Sequence, residues 1–253
     1  EAEAPERLQP EDRAAPMLRL AERWQDRAAG PPVAREAETR DLPALPGPGW
    51  RAPEGAAPAR RVAASGLAPE GVLAKPAEEG RDRDLARARG DAVHLLLELL
   101  PEMAAAEREG RGAAILAAAA PKLSEAERAE CLAEALAAMA DPQVAGFLAP
   151  GALAEAGLSA ELAPGLRVTG RIDRLVVGEA RVEVLDWKTG PAPAETPEGY
   201  LRQLAAYRAA LMQLHPGREI AAAIYWTEAG RLDRFGAEAL DAALARLLAD
   251  PPR

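Results

Sequence analysis

A chain of 253 residues is long enough to bury a sizeable core, as one large domain or two small ones. Its net charge of −9 argues against a generic nucleic-acid coat, which is normally basic, yet leaves room for an enzyme that meets nucleic acid in one groove. A single cysteine, Cys131, excludes an intrachain disulfide, a four-cysteine zinc site and an iron–sulfur cluster held by this chain alone.

The first 80 residues carry one helical pattern, about Asp12 to Ala28, which sets Met17, Leu18, Leu20 and Ala21 near Trp24. Pro43, Pro46, Pro48, Pro53 and Pro58 then interrupt any regular element, so this stretch is expected to be a mostly irregular, proline-rich arm or linker. From Asp84 the character changes. Val93, Leu96, Leu97 and Leu100 recur at helical spacing, and Pro101 closes the segment. A second helix is expected from Arg111 to Ala119. A third opens at Ser124 with Glu127 three residues on, a capping box, and ends at Asp141-Pro142. Cys131 falls in that alanine-rich helix and is expected to be a small buried residue.

After Gly151, strand signals take over. Leu166, Val168, Gly170 and Ile172 alternate with other residues, and Val182, Val184, Asp186 and Lys188 share one parity. A tight turn, Gly178-Glu179-Ala180-Arg181, lies between them. A helix from Pro197 to Leu214, a buried strand from Ile220 to Trp226 and a helix from Ala237 to Leu248 complete the order. That order predicts an α/β fold with a mixed sheet. No apolar run approaches the roughly 18 residues needed to span a bilayer, and no secretory signal is present, so the expected compartment is the cytoplasm. The chain opens on Glu1, which fits a piece of a longer protein.

If Glu179 and Ala180 are the two central turn residues, Val176 faces Glu183 and Asp173 faces Asp186. Directly opposed side chains have Cβ atoms about 4.5–5.5 Å apart, and two carboxylates there repel. A divalent cation between them removes the conflict. Lys188 lies two residues beyond Asp186, on the same face. Hard carboxylate oxygens suit Mg²⁺ or Mn²⁺, which lower the pKa of bound water and polarise a phosphate. A lone D-x-K tripeptide also arises by chance on solvated strands, so the flanking residues matter.

Gly170-Arg171-Ile172-Asp173-Arg174, then Asp186-Trp187-Lys188-Thr189-Gly190, then Gln203 and Tyr207 form a connected pattern. It resembles the RecB-like branch of the PD-(D/E)XK nucleases, with its G-x-x-D-R, D-x-K-T-G and Q-x-x-x-Y motifs. Arg89 to Pro101, Asp141 to Leu148 and Ala154-Glu155 are similar to the nuclease region of bacterial AddA helicase–nucleases. The likeness covers about residues 84–235.

The resemblance implies a restriction-endonuclease-like α/β core. In it, a nuclease domain spans 81–253, with a helical lead-in over 81–150 and a catalytic core over 151–253. It implies that His94, Asp173, Asp186 and the Trp187 backbone carbonyl hold Mg²⁺ or Mn²⁺, with Lys188, Asp186 and Asp173 catalytic. On sequence alone a histidine in a leucine-rich helix, as His94 is, is usually a boundary or satisfied core residue, and Gln203 and Tyr207 read as a core-facing stripe; the resemblance gives them metal binding and site support or DNA contact. Arg174 and Glu155 are candidates for DNA contact or site support, against ordinary ion pairs for Arg171 and Arg174 and a helix-end position for Glu155. The implied partners are DNA, an AddB-like nuclease subunit, and a helicase in the same protein or a separate chain. No G-x-x-x-x-G-K-[ST] loop occurs, so no ATP site is expected in this chain. The rival readings are a nuclease fold kept for DNA holding or assembly, and a standalone nuclease.

Overall fold

In the computed structural model, residues 60–67 and 80–250 are described. They run, in order, β1 (Arg60–Ala63), a 3-10 turn (Ala64–Leu67), α1 (Gly80–Leu99), two 3-10 turns (Leu100–Glu102 and Ala105–Glu107), α2 (Arg108–Ala119), α3 (Glu125–Ala140) and a 3-10 segment (Pro142–Leu148). There follow β2 (Leu153–Ala163), β3 (Leu166–Val177), β4 (Arg181–Lys188), α4 (Glu198–Leu214), β5 (Glu219–Trp226), β6 (Arg231–Phe235) and α5 (Ala237–Ala249). All fall within one compact unit, Glu54–Arg253. The expected helix near Asp12 to Ala28 and the prolines from Pro43 to Pro58 lie outside the described residues.

Local chemistry sets the helix ends. The Ser124 hydroxyl accepts the Glu127 N–H at 3.3 Å while the Glu127 carboxylate accepts the Ser124 N–H at 2.6 Å, the reciprocal capping box that starts α3. At the other end Asp141 is extended and its carboxylate accepts the Gln143 N–H at 2.8 Å, which turns the chain into the 3-10 segment.

The hairpin pairs Val176 with Glu183 and Val177 with Val182, as the two-residue turn requires, and Gly178 N–H donates to the Arg181 carbonyl at 2.9 Å. β4 then pairs in parallel with β5, residue by residue from Arg181↔Glu219 to Lys188↔Trp226, and β6 adds antiparallel to β5. The six strands form one mixed sheet with helices on both faces, a restriction-endonuclease-like α/β fold. β4 shows why both faces need cover. Val182 and Val184 enter one core with Leu204, Tyr207 and Leu211 of α4 and Leu240 of α5. Leu185 and Trp187 enter a second core with Leu96 and Leu97 of α1, Leu116 of α2 and Cys131 of α3. Cys131 is fully buried, as expected, and burial pushes its thiol pKa up.

Three strands escaped the sequence reading. β1, inside the stretch expected to be mostly irregular, pairs in parallel with the start of β3, and Ala64 and Leu67 after it are buried in the first core. β2 and β6 carry glycine, alanine and charged residues rather than a clean apolar alternation.

β3 has an unusual pairing. Leu166–Thr169 pair with both β1 and β2, and Arg174 and Leu175 with both β2 and β4. Since β2 holds one edge throughout, β1 and β4 share the other edge and leave Gly170 to Asp173 between them without a strand partner. Gly170 lets α4 close on that gap: a Cβ there would meet the Ala64 Cβ and the Tyr207 Cε1, each at 2.8 Å. Gly170→Ala is therefore expected to lower stability by about 1–3 kcal/mol, the usual cost of overpacking a rigid contact. Urea denaturation measures it, and a midpoint equal to that of the parent chain would contradict the close approach.

Candidate metal centre

The gap in β3 is where the polar side chains gather. Asp173 sits at its end, one step beyond the last β3–β4 pair, Arg174↔Leu185. Its carboxylate takes a strand partner's place: Oδ2 accepts the Trp187 N–H at 2.7 Å. The same oxygen lies 3.7 Å from His94 Nδ1, which α1 brings over the sheet end. One donor atom each from His94, Asp173 and Glu155 lie within 4.8 Å of one another.

The expected ligand set joined His94 and Asp173 to Asp186. The structure brings His94 and Asp173 together with Glu155, and sets Asp186 beside them in an ion pair with Lys188, Oδ2 to Nζ 2.5 Å. Asp186 is 3% exposed, and its Oδ2 accepts no hydrogen bond of normal geometry. The Trp187 backbone favours the protonated form of His94, against the larger effect of burial.

Electrostatics reflect crowding of like charge. Burial and the Asp186 carboxylate push the Asp173 pKa well above the ordinary aspartate range, against the opposing pull of Lys188 and the Trp187 N–H. Burial lowers the His94 pKa, which favours the neutral imidazole a metal needs. Burial would also lower that of Lys188, but Asp186 and Asp173 together outweigh it and hold the ammonium above its usual value. Glu155 is raised by burial and by Glu98. Partly buried carboxylates beside a neutral imidazole fit a divalent cation, whose charge removes the repulsion that raises them.

Lys188 is held from several sides. Its Nζ donates to Gln203 Oε1 at 3.4 Å and lies 4.6 Å over the Tyr200 ring. Gln203 Nε2 donates to the Tyr207 hydroxyl at 3.3 Å, and that hydroxyl donates to the Arg171 carbonyl inside the β3 gap at 2.7 Å. Gln203 and Tyr207 are 5% and 1% exposed, so both lie buried beside Lys188. Arg174 is buried likewise: at 1% exposure its Nη2 donates to the Leu97 carbonyl at 2.5 Å and ties the last turn of α1 to β3.

Glu155 is the least ordinary member. It is the one non-glycine residue with positive φ among the described residues, at 50°. Such backbone costs about 1–3 kcal/mol. Its ion pair with Arg171, 3.6 Å long and with the arginine side chain 69% exposed, offsets about 0–1 kcal/mol at most.

The sequence reading missed Thr227, a buried polar residue. Its N–H and hydroxyl reach the Lys188 carbonyl at 2.9 and 3.2 Å, fixing the end of β4. The one sequence signal for it is a threonine directly after the apolar run Ile220–Trp226.

A family model described as "PD-(D/E)XK nuclease superfamily" matches residues 67–249. Among solved structures, the chain is similar to the crystal structure of SSO0001, at 16% identity, covering 68% of this chain and 87% of that one, with a TM-score of 0.28. No curated protein matches. No helix among the described residues is long and apolar enough to cross a membrane.

Tyr207→Phe removes the hydroxyl that serves Gln203 and the Arg171 carbonyl, with an expected loss of about 1 kcal/mol in chemical denaturation. A denaturation midpoint equal to that of the parent chain would contradict the role given to this hydroxyl.

Proposed function

The chain belongs to the PD-(D/E)XK nuclease superfamily, and from that premise we propose that it hydrolyses DNA phosphodiester bonds with the help of Mg²⁺ or Mn²⁺. The observation that carries this reading is the convergence of Asp173, Asp186, Lys188 and His94 at one end of the sheet, with Asp173 and Lys188 held by hydrogen bonds to neighbouring elements. Superfamily members are generally metal-dependent nucleases, and the donor set here suits a hard divalent ion.

His94 and Asp173, with a further carboxylate, would hold the cation. Bound there, it supplies Lewis-acid activation of water and charge neutralisation at the phosphate. Asp173, tied to the Trp187 N–H, keeps one oxygen fixed toward the cluster. Lys188 remains an ammonium and is steadied by Gln203 and Tyr200, so it can hold a phosphoryl oxygen as negative charge builds on it. Asp186 orients Lys188 through the 2.5 Å ion pair. The partly exposed side chains of His94, 32%, and Lys188, 18%, mark the side from which a strand can approach.

The finer assignment extends the likeness over residues 84–235 to AddA-type nuclease regions. On that reading the immediate substrate is single-stranded DNA, delivered during double-strand break repair by a helicase in the same protein or a separate chain. An AddB-like nuclease subunit treats the other strand, and the work is done in the cytoplasm.

The test is cleavage of end-labelled single-stranded DNA with Mg²⁺ or Mn²⁺. Asp186→Ala and Lys188→Ala are each expected to lower the rate by about 10²-fold or more, and chelation to abolish it. Equal rates in the parent and both variants would remove the assigned site, and binding without cleavage in the parent would favour a DNA-holding module.

A further inference from the structure

We propose that Glu155 is a direct ligand of the cation, the third protein side chain beside His94 and Asp173. The inference rests on the reading of this site as a metal-dependent nuclease centre.

Register supplies the first observation. β2 pairs Ala154 with Arg174 and Ala156 with Ile172, so Glu155 stands across from Asp173. Two carboxylates opposed on neighbouring strands repel, and such a pair is destabilising without a counter-charge. The ladder itself gives way here. No backbone pair forms between Glu155 and Asp173 although both flanking pairs do, and Glu155 takes the left-handed φ of 50°. The strand is thus bent at the one residue whose carboxylate meets the His94 and Asp173 donors.

An ordinary explanation would make Glu155 the partner of Arg171. That contact is 3.6 Å long and its arginine is mostly exposed, so solvent screens it. It accounts neither for the strained backbone nor for a partly buried carboxylate set against a second one. A cation shared with Asp173 accounts for both.

Asp186 lies close enough to raise the pKa of Asp173, and Lys188 already neutralises it. It is buried on the α4 side against Lys188 and falls outside the three-donor group. Glu155, His94 and Asp173 come from β2, α1 and β3, so one ion would bind together three elements that meet at the gap in β3.

The experiment is calorimetric titration of the full chain with Mn²⁺, together with thermal unfolding in chelator. Glu155→Gln, which keeps shape and removes charge, is expected to weaken Mn²⁺ binding at least about tenfold, as loss of even an outer partner often does. Its melting temperature in chelator should equal or exceed the parent's, because a like-charge contact is relieved. Arg171→Gln should leave Mn²⁺ affinity within about twofold. Unchanged affinity in Glu155→Gln, alongside loss of binding in Asp173→Asn, overturns the assignment while leaving the metal centre standing. So does an equal loss in Arg171→Gln. A parent chain that takes up no Mn²⁺ overturns the metal reading itself, and this inference with it. Should Glu155→Gln not fold, Glu155→Asp withdraws the carboxylate by one methylene and keeps its charge: weakened binding supports the ligand role and parental affinity refutes it.

Discussion

Asp173 sits between two other carboxylates, Glu155 opposite it on β2 and Asp186 beyond it on β4, and both raise its pKa. Three acids across three adjacent strands are a poor design for a sheet held only by packing, because directly opposed like charges destabilise it. The local fold bends around that conflict. β3 lacks a strand partner from Gly170 to Asp173 on one edge, Glu155 leaves the ladder, and Asp173 uses its carboxylate to take the Trp187 N–H. Lys188 neutralises part of the charge through Asp186. The remainder is what a divalent cation would neutralise.

The surrounding structure is arranged to hold this charged row in place. Tyr207 occupies the gap and donates to the Arg171 carbonyl, which is possible because Gly170 has no side chain to obstruct the ring. Through Gln203 the same tyrosine fixes Lys188, so the Lys188 ammonium and the broken strand share one support. Arg174, adjacent to Asp173, ties β3 to the last turn of α1 and so sets the position of His94 three residues upstream of Leu97. The fixed residues of the G-x-x-D-R pattern thus divide the physical work: the glycine allows close approach, the aspartate supplies charge, and the arginine anchors a helix.

The hairpin register, the capping box of α3 and the alternation of β4 were legible because they depend on neighbours in sequence. Val176↔Glu183 follows from the turn alone, and Ser124 with Glu127 from a spacing of three. That Asp173, Asp186 and Lys188 lie together could be read from the same hairpin. His94 could not, since a histidine on a leucine-rich helix has no local mark of function, and its role entered through family resemblance. β1 and β2 were hidden for a different reason. Their stability comes from pairing with β3, and sequences such as Arg60–Ala63 carry little apolar pattern of their own. Glu155 became conspicuous once β2 was in register with β3, because only the pairing sets it across from Asp173.

If the charged row depends on a cation, the folded chain must gain stability from one. Thermal unfolding of the parent chain across a Mn²⁺ titration, starting from chelator, measures this without reference to catalysis. Metal at about one hundred times its Kd should add about 2.7 kcal/mol, since binding to the folded state alone stabilises by that amount. For a domain of this size that is a rise of about 5–10 °C in Tm, growing with metal concentration. A Tm that does not move between chelator and saturating Mn²⁺ would contradict the account.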